Sequence, residues 1–136
     1  MKIIYGSFFL RLAMAAIFLM HGVPSIFTGS VNDFGDGYLR SEGFGNMGLP
    51  LAWAIKLSHL AAAVCLLINR FIIPAGVISI LILIAGIWMV HLPNGWYVVG
   101  GGSNGVEFNV LLIFAWLSLM VGKKEKTGSS FMRSGW

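Results

Sequence analysis

The chain has 136 residues, of which 57% are hydrophobic and only 10% carry a charge. A soluble domain carries about 25% charged residues, so this composition argues against a water-soluble domain, a disordered chain and a nucleic-acid-binding protein, despite the net charge of +4. The single cysteine leaves no internal disulfide and no cysteine zinc site.

The apolar residues, about 78 in number, nearly match the roughly 80 positions that four membrane-spanning helices need. In chain order they form four stretches, at about 7–27, 50–69, 71–91 and 106–122. Only Asn69 and Arg70 separate the second stretch from the third, which predicts a tight connection. The connection 28–49 is rich in glycine and is predicted to be either a linker or a lid. The sequence therefore predicts one all-α domain, residues 1–122, that forms an integral membrane four-helix bundle.

The basic residues lie mostly on one side of these spans. If the N-terminus is cytoplasmic, the outer side carries only Arg40, and the cytoplasmic side carries Lys2, Arg70, Lys123, Lys124, Lys126 and Arg133. This asymmetry predicts that both termini are cytoplasmic and that 123–136 is a basic cytoplasmic tail. The aromatic residues support the same orientation, because it places four of them near the outer membrane interface, where such rings are favoured. These are Trp53, Trp88, Trp96 and Tyr97.

Six ionisable residues fall within or at the ends of the predicted spans: Arg11, His21, Lys56, His59, His91 and Glu107. Each costs roughly 2.5–3.5 kcal/mol in hydrocarbon on insertion scales, unless it finds a partner or water. All except Arg11 fall in the outer half of the membrane, with His59 close to the midplane. Those five come from four helices, and facing helices are how bundles build internal sites.

Lys56 and His59 share one face of the second span because they are three residues apart. Glu107 is the only acidic residue of any span and is therefore the expected counter-ion of Lys56 or of a protonated histidine. A histidine near a carboxylate can exchange protons near neutral pH, so we predict His59, His21, Glu107 and Lys56 as catalytic residues. The alternative is that these side chains are hydrogen-bonded locally or snorkel to the interface, as expected for Arg11.

Several short motifs then point to a family: Arg11-Leu12, Ile17-Phe18-Leu19-Met20-His21-Gly22, Met47-Gly48-Leu49-Pro50, His91 and Gly105-Val106-Glu107-Phe108. Over residues 8–122 the sequence resembles the DoxX family of small four-helix bacterial membrane proteins. The family usually carries an acidic residue in the second span, where this chain has Ser58 and His59, and a lysine soon after the His-Gly of the first span, where it has Pro24 and Ser25.

The resemblance implies a subunit or partner of a membrane-bound, quinone-linked oxidoreductase in the bacterial cytoplasmic (inner) membrane, with other membrane or periplasmic proteins as partners. Carried over by position, the matching polar residues are His21, His91 and Glu107, with Arg11 as the matching cation. We accordingly predict that His21, His59, His91 and Arg11 bind the cofactor, with quinone as the first candidate and no metal site.

Three alternative functions stay open from the sequence. In the first, the chain is a non-catalytic anchor or assembly subunit whose polar residues hold helices together. In the second, it binds haem, because imidazoles on separate helices, here His21 and His91, can ligate iron. In the third, it forms a channel or transporter, which for so small a chain requires a homo-oligomer.

Overall fold

The structure is a computed structural model that describes the backbone of residues 2–133 and the side chains of residues 7–124. The predicted basic tail, 123–136, lies outside the described residues from 134 onward, and its side chains lie outside them from 125 onward. Within the described part the chain is helical and contains no strand, which confirms the all-α class. Its four long helices are α1 (Lys2–Phe27), α2 (Gly48–Ile68), α3 (Ile72–Gly86) and α4 (Glu107–Arg133).

Three helical stretches are long and apolar enough to cross a membrane: Ser7–Phe27, Ser30–Ile68 and Ile72–Asn94. They contain the first three predicted spans except for their terminal residues. The apolar run of α4 is shorter, because Glu107 and Lys123 bound it. The predicted short connection is also confirmed, since α2 ends at Ile68 and α3 begins at Ile72.

The chain divides into two compact units, Met1–Arg70 and Phe71–Trp136. In the first unit α1 packs along α2. Gly22 lets the two helices approach closely, because a Cβ atom at this position would lie 2.7 Å from Leu60 Cδ2. The apolar residues that these two helices bury are Met14, Ala15, Phe18, Ala52, Ala62, Ala63 and Leu66.

Residues 30–47, the cover segment, are helical and pack against α2, although a glycine-rich connection was predicted here. Val31, Gly35 and Leu39 are buried at intervals of four residues, so they form one face of the segment. A Cβ atom at Gly35 would lie 2.6 Å from Leu49 Cα, which explains the glycine at this contact. The cover segment consists of an α-helical turn, a π-helical run and a 3-10 turn, which are Ser30–Asn32, Asp33–Phe44 and Gly45–Met47.

In the second unit α3 packs against α4. Trp116 of α4 is completely buried, and a Cβ atom at Gly76 would lie 2.6 Å from Met120 Sδ. The end of α3 continues through two short turns, Ile87–His91 and Leu92–Asn94, into the loop 95–106 that leads to α4.

Candidate functional site

The first unit brings together three of the four predicted catalytic residues. His21 lies on α1, and Lys56 and His59 lie on α2. The rings of His21 and His59 are 6.3 Å apart between centroids. The Lys56 ammonium donates a hydrogen bond of 3.2 Å to the backbone carbonyl of His21. We call these three side chains the histidine–lysine cluster.

The close contact of α1 with α2 explains this cluster. Gly22 follows His21 directly, and a Cβ atom there would meet Leu60 and would lie 3.5 Å from the Lys56 carbonyl oxygen. The absence of a side chain at Gly22 therefore sets His21 against the turn of α2 that carries Lys56 and His59. The separation of three residues on α2 places the latter two on one face, as predicted.

Two aromatic residues of the cover segment belong to the same region, and sequence reasoning missed them. The Phe34 and Tyr38 rings are stacked, with centroids 5.7 Å apart and planes at 14°. The Lys56 Nζ atom lies 5.9 Å from the centroid of Phe34, within the range of a cation–π interaction. The spacing of four residues between the two aromatic rings was the signal in the sequence that could have found them.

One ring nitrogen of His59 stays without a hydrogen bond within residues 7–124. Its Nδ1 atom is buried and has no hydrogen-bond partner among the described residues. The Phe18 ring packs 5.2 Å from the His59 ring, between centroids. A buried N–H without an acceptor is rarer in proteins than an under-satisfied acceptor, so we assign the proton of the neutral ring to Nε2. His59 then offers Nε2–H as a donor.

The Lys56 ammonium has no carboxylate partner in the part of the chain that the structure describes. An ion pair joins Arg40 to Asp36 across 3.8 Å, on the exposed side of the cover segment. Glu107, the predicted counter-ion, belongs to the second unit. Its Oε1 atom accepts a hydrogen bond of 2.8 Å from the backbone N–H of Val98.

Glu107 and His91 both stabilise the loop 95–106. Backbone hydrogen bonds close the base of this loop, from Gly105, Val106 and Glu107 to Tyr97, Gly95 and Trp96 respectively. The His91 Nδ1 atom lies 2.8 Å from the carbonyl oxygen of Asn104, so Nδ1 carries the proton and donates it. Both predicted site residues therefore bind the backbone of their own loop.

Arg11 also forms its hydrogen bonds with backbone groups. Its side chain is buried, with 8% of its surface exposed. Its guanidinium donates to the carbonyl oxygens of Ser7 and Leu66, each across 3.2 Å. Leu66 lies in the last turn of α2, where the helix dipole favours a cation; its carbonyl oxygen also accepts the Asn69 N–H. Instead of the predicted snorkelling to headgroups, Arg11 caps the C-terminal end of α2.

The described residues contain no group of three or more His, Cys, Asp or Glu side chains that could hold a metal ion. His21 and His91, the two histidines considered for haem, belong to different units.

The fold and these contacts define an all-helical protein with three helical stretches of membrane-spanning length and a basic, aromatic cluster in the first unit. Comparison of the sequence with protein-family models, curated proteins and solved structures finds no match.

Proposed function

We propose that the chain is a DoxX-like integral membrane protein with four spans and both termini on the cytoplasmic side of the bacterial inner membrane. The three membrane-length helical stretches support this placement. Apolar side chains of these stretches and of α4 also face outward, as Met20 (71% exposed), Leu81 (62%) and Phe114 of α4 (65%) illustrate. A helix that is apolar on all sides is buried in protein or in lipid, and these side chains are not buried in protein.

The proposed role is that of a subunit or partner of a membrane-bound, quinone-linked oxidoreductase. The observation that carries this proposal is the histidine–lysine cluster, and in particular the unsatisfied imidazole of His59 beside the Lys56 ammonium. A quinone takes up two electrons and two protons to become a quinol. The partner oxidoreductase supplies the electrons, and the residues of the cluster bind the head group and transfer protons.

The residues of the cluster have different roles in binding the quinone and in transferring protons. His59 Nε2–H and the Lys56 ammonium are hydrogen-bond donors that suit the carbonyl oxygen of a quinone. The His21 imidazole, 6.3 Å from the His59 ring between centroids and exposed, can relay protons between His59 and the outside of the cluster. Phe34 offers an aromatic face near the ammonium.

The experiment is quinone binding to the full chain in nanodiscs, measured by titration with ubiquinone and menaquinone. We expect His59→Ala to weaken binding about tenfold, equivalent to about 1.4 kcal/mol, without a loss of membrane insertion. Two control variants should bind as the native chain does. His91→Ala removes an imidazole that serves a loop, and Ser58→Ala removes a hydroxyl that bonds to the Ile55 carbonyl of its own helix. Unchanged binding by His59→Ala would refute the proposal.

A second candidate is a non-catalytic anchor or assembly subunit. The contacts of Arg11, His91 and Glu107 favour it, because each of these side chains binds backbone groups. Purification from gently solubilised membranes distinguishes the two roles. A stoichiometric partner whose activity survives His59→Ala supports the anchor, whereas an activity that falls in this variant supports the quinone role. An absorption spectrum with a Soret band would instead indicate haem.

A further inference from the structure

Lys56 and His59 present hydrogen-bond donors and positive charge, and no carboxylate of the described residues lies within 4.0 Å of the Lys56 ammonium. The Lys56 ammonium has three N–H groups, and its hydrogen bond to the His21 carbonyl uses one of them. Phe34 approaches it with a ring face rather than with an anion. His59 lies three residues after Lys56 on the same face of α2, and it adds a further donor at Nε2.

Such an ammonium is costly in a membrane-spanning helix. Lys56 lies eight residues after Gly48, the first residue of α2, which is roughly 12 Å along the helix axis. A charge in a span needs a partner or a route to water. The contact with the His21 carbonyl holds Nζ against α1 but supplies no full negative charge, which leaves the ammonium able to bind an anionic ligand.

We propose that Lys56 and His59 bind the anionic oxygen of an amphiphile, with the phosphate or carboxylate head group at the ammonium and the apolar tail along α1 and α2. This inference rests on the membrane placement in the proposed function but not on quinone binding. The residues next to the cluster fit an apolar tail. Met20 and Val23 flank His21 on α1, Leu57 follows Lys56 on α2, and all three are exposed.

The geometry favours an amphiphile over a free anion. An aqueous ion loses its hydration to reach an ammonium in a span and gains no apolar contact in return. A phospholipid or a fatty acid brings its charge from the membrane itself, and its chain covers exposed apolar surface. The two sources share one chemistry, which is an oxyanion on a hydrocarbon tail.

The test is native mass spectrometry of the full chain released from nanodiscs. One set contains phosphatidylcholine with one-fifth phosphatidylglycerol, and a second contains phosphatidylcholine with one-fifth oleate. We expect the native chain to retain one anionic amphiphile with at least a tenfold preference over phosphatidylcholine. Lys56→Met should reduce this preference to about one, and Lys56→Arg should keep most of it. The matched control is Lys124→Gln, which removes an exposed cation and should leave the preference unchanged.

The two sets of nanodiscs identify the source. Preferential retention of phosphatidylglycerol indicates a lipid phosphate, and retention of oleate indicates a carboxylate; either supports the proposal when it depends on Lys56. If Lys56→Met does not fold, His59→Gln replaces it, with an expected severalfold loss of preference. Equal preference in the native chain and these variants, or an equal loss in Lys124→Gln, overturns the proposal.

Flotation with liposomes separates this inference from the proposed function. A chain that does not float with liposomes contradicts both. A chain that floats and binds quinone through His59 but shows no Lys56-dependent preference for anionic amphiphiles contradicts only the inference. Loss of the preference in Lys56→Met, with Lys124→Gln unchanged, supports the inference whatever the two variants do to quinone binding.

Discussion

Replacement of Arg11 by methionine tests whether this residue is a structural cap or part of a cofactor site. The guanidinium donates two hydrogen bonds to backbone carbonyls, of Ser7 and Leu66. Methionine keeps much of the apolar volume of the side chain but removes the charge and both donors. A cap predicts lower stability, whereas a residue whose role is to bind a cofactor predicts weaker cofactor binding at unchanged stability.

The magnitude follows from two opposing contributions. A hydrogen bond from a charged donor is worth about 1.5–3 kcal/mol, and we take the lower value because both distances are 3.2 Å. The two bonds then stabilise the native state by about 3 kcal/mol. Against this stands the cost of the charge, about 1 kcal/mol here, because Arg11 lies near the end of its span and not at the bilayer centre. We expect Arg11→Met to lower the free energy of unfolding by about 2 kcal/mol.

The assay is equilibrium unfolding of the full chain in mixed micelles with increasing SDS, followed by circular dichroism. Arg11→Lys should lose about half as much stability, because one ammonium cannot reproduce the two-donor geometry of a guanidinium. Lys124→Gln, which removes an exposed cation, should unfold at the same SDS concentration as the native chain. If Arg11→Met is as stable as the native chain, the guanidinium makes no net contribution and its role as a cap is refuted.

Two further predictions concern the second unit. Gly76→Ala should destabilise the chain by about 1–2 kcal/mol in the same assay, because its Cβ would lie 2.6 Å from Met120 Sδ and 3.0 Å from Trp116. Gly86→Ala, in the same helix but with its nearest contact at 3.5 Å, should instead gain up to about 1 kcal/mol from helix propensity; equal effects of the two substitutions would refute the close contact. Glu107→Ala should speed amide hydrogen exchange at Val98 at least tenfold, because it removes the acceptor of that N–H. The control is Glu42→Ala, an exposed position of the cover segment, which should leave exchange at Val98 unchanged.

The helices were largely predictable from composition. Apolar runs of membrane length dominate the sequence, and a run of this kind can satisfy its backbone only as a helix when no water is present. The short connection follows from the same pattern, because only Asn69 and Arg70 separate the second apolar stretch from the third. Asn69 adopts a left-handed conformation with φ of 55°, which asparagine tolerates better than most residues.

The cover segment was not predictable in the same way. Its glycines indicate a loop, since glycine lowers helix propensity by about 1 kcal/mol relative to alanine. The structure instead uses Gly35 for a close approach to Leu49 of α2, and a tertiary contact of this kind outweighs local propensity. Only Gly43, with φ of 99°, adopts a conformation that favours glycine within this helical run.

The candidate site was predictable only in part, because several ionisable side chains have backbone groups rather than other side chains as partners. Ionisable side chains in a span were expected to find partners among other side chains, which paired Glu107 with Lys56. Backbone carbonyl and N–H groups at helix ends and in loops serve equally well as partners. Arg11 uses a carbonyl at the end of α2, and Glu107 uses an N–H of the loop that precedes its own helix. A sequence does not reveal which ends lie within reach.

The same reasoning indicates which polar residues need a ligand. Backbone groups in the middle of a helix are already paired with one another, so a polar side chain there has few local partners. His59 lies near the middle of α2, and its buried Nδ1 atom has no hydrogen-bond partner among the described residues. Lys56, one turn earlier, reaches a carbonyl of the neighbouring helix but no carboxylate. The buried Nδ1 atom of His59 without a partner, beside an ammonium with no carboxylate partner in the described part of the chain, therefore makes these two residues the ones whose substitution should change ligand binding more than stability.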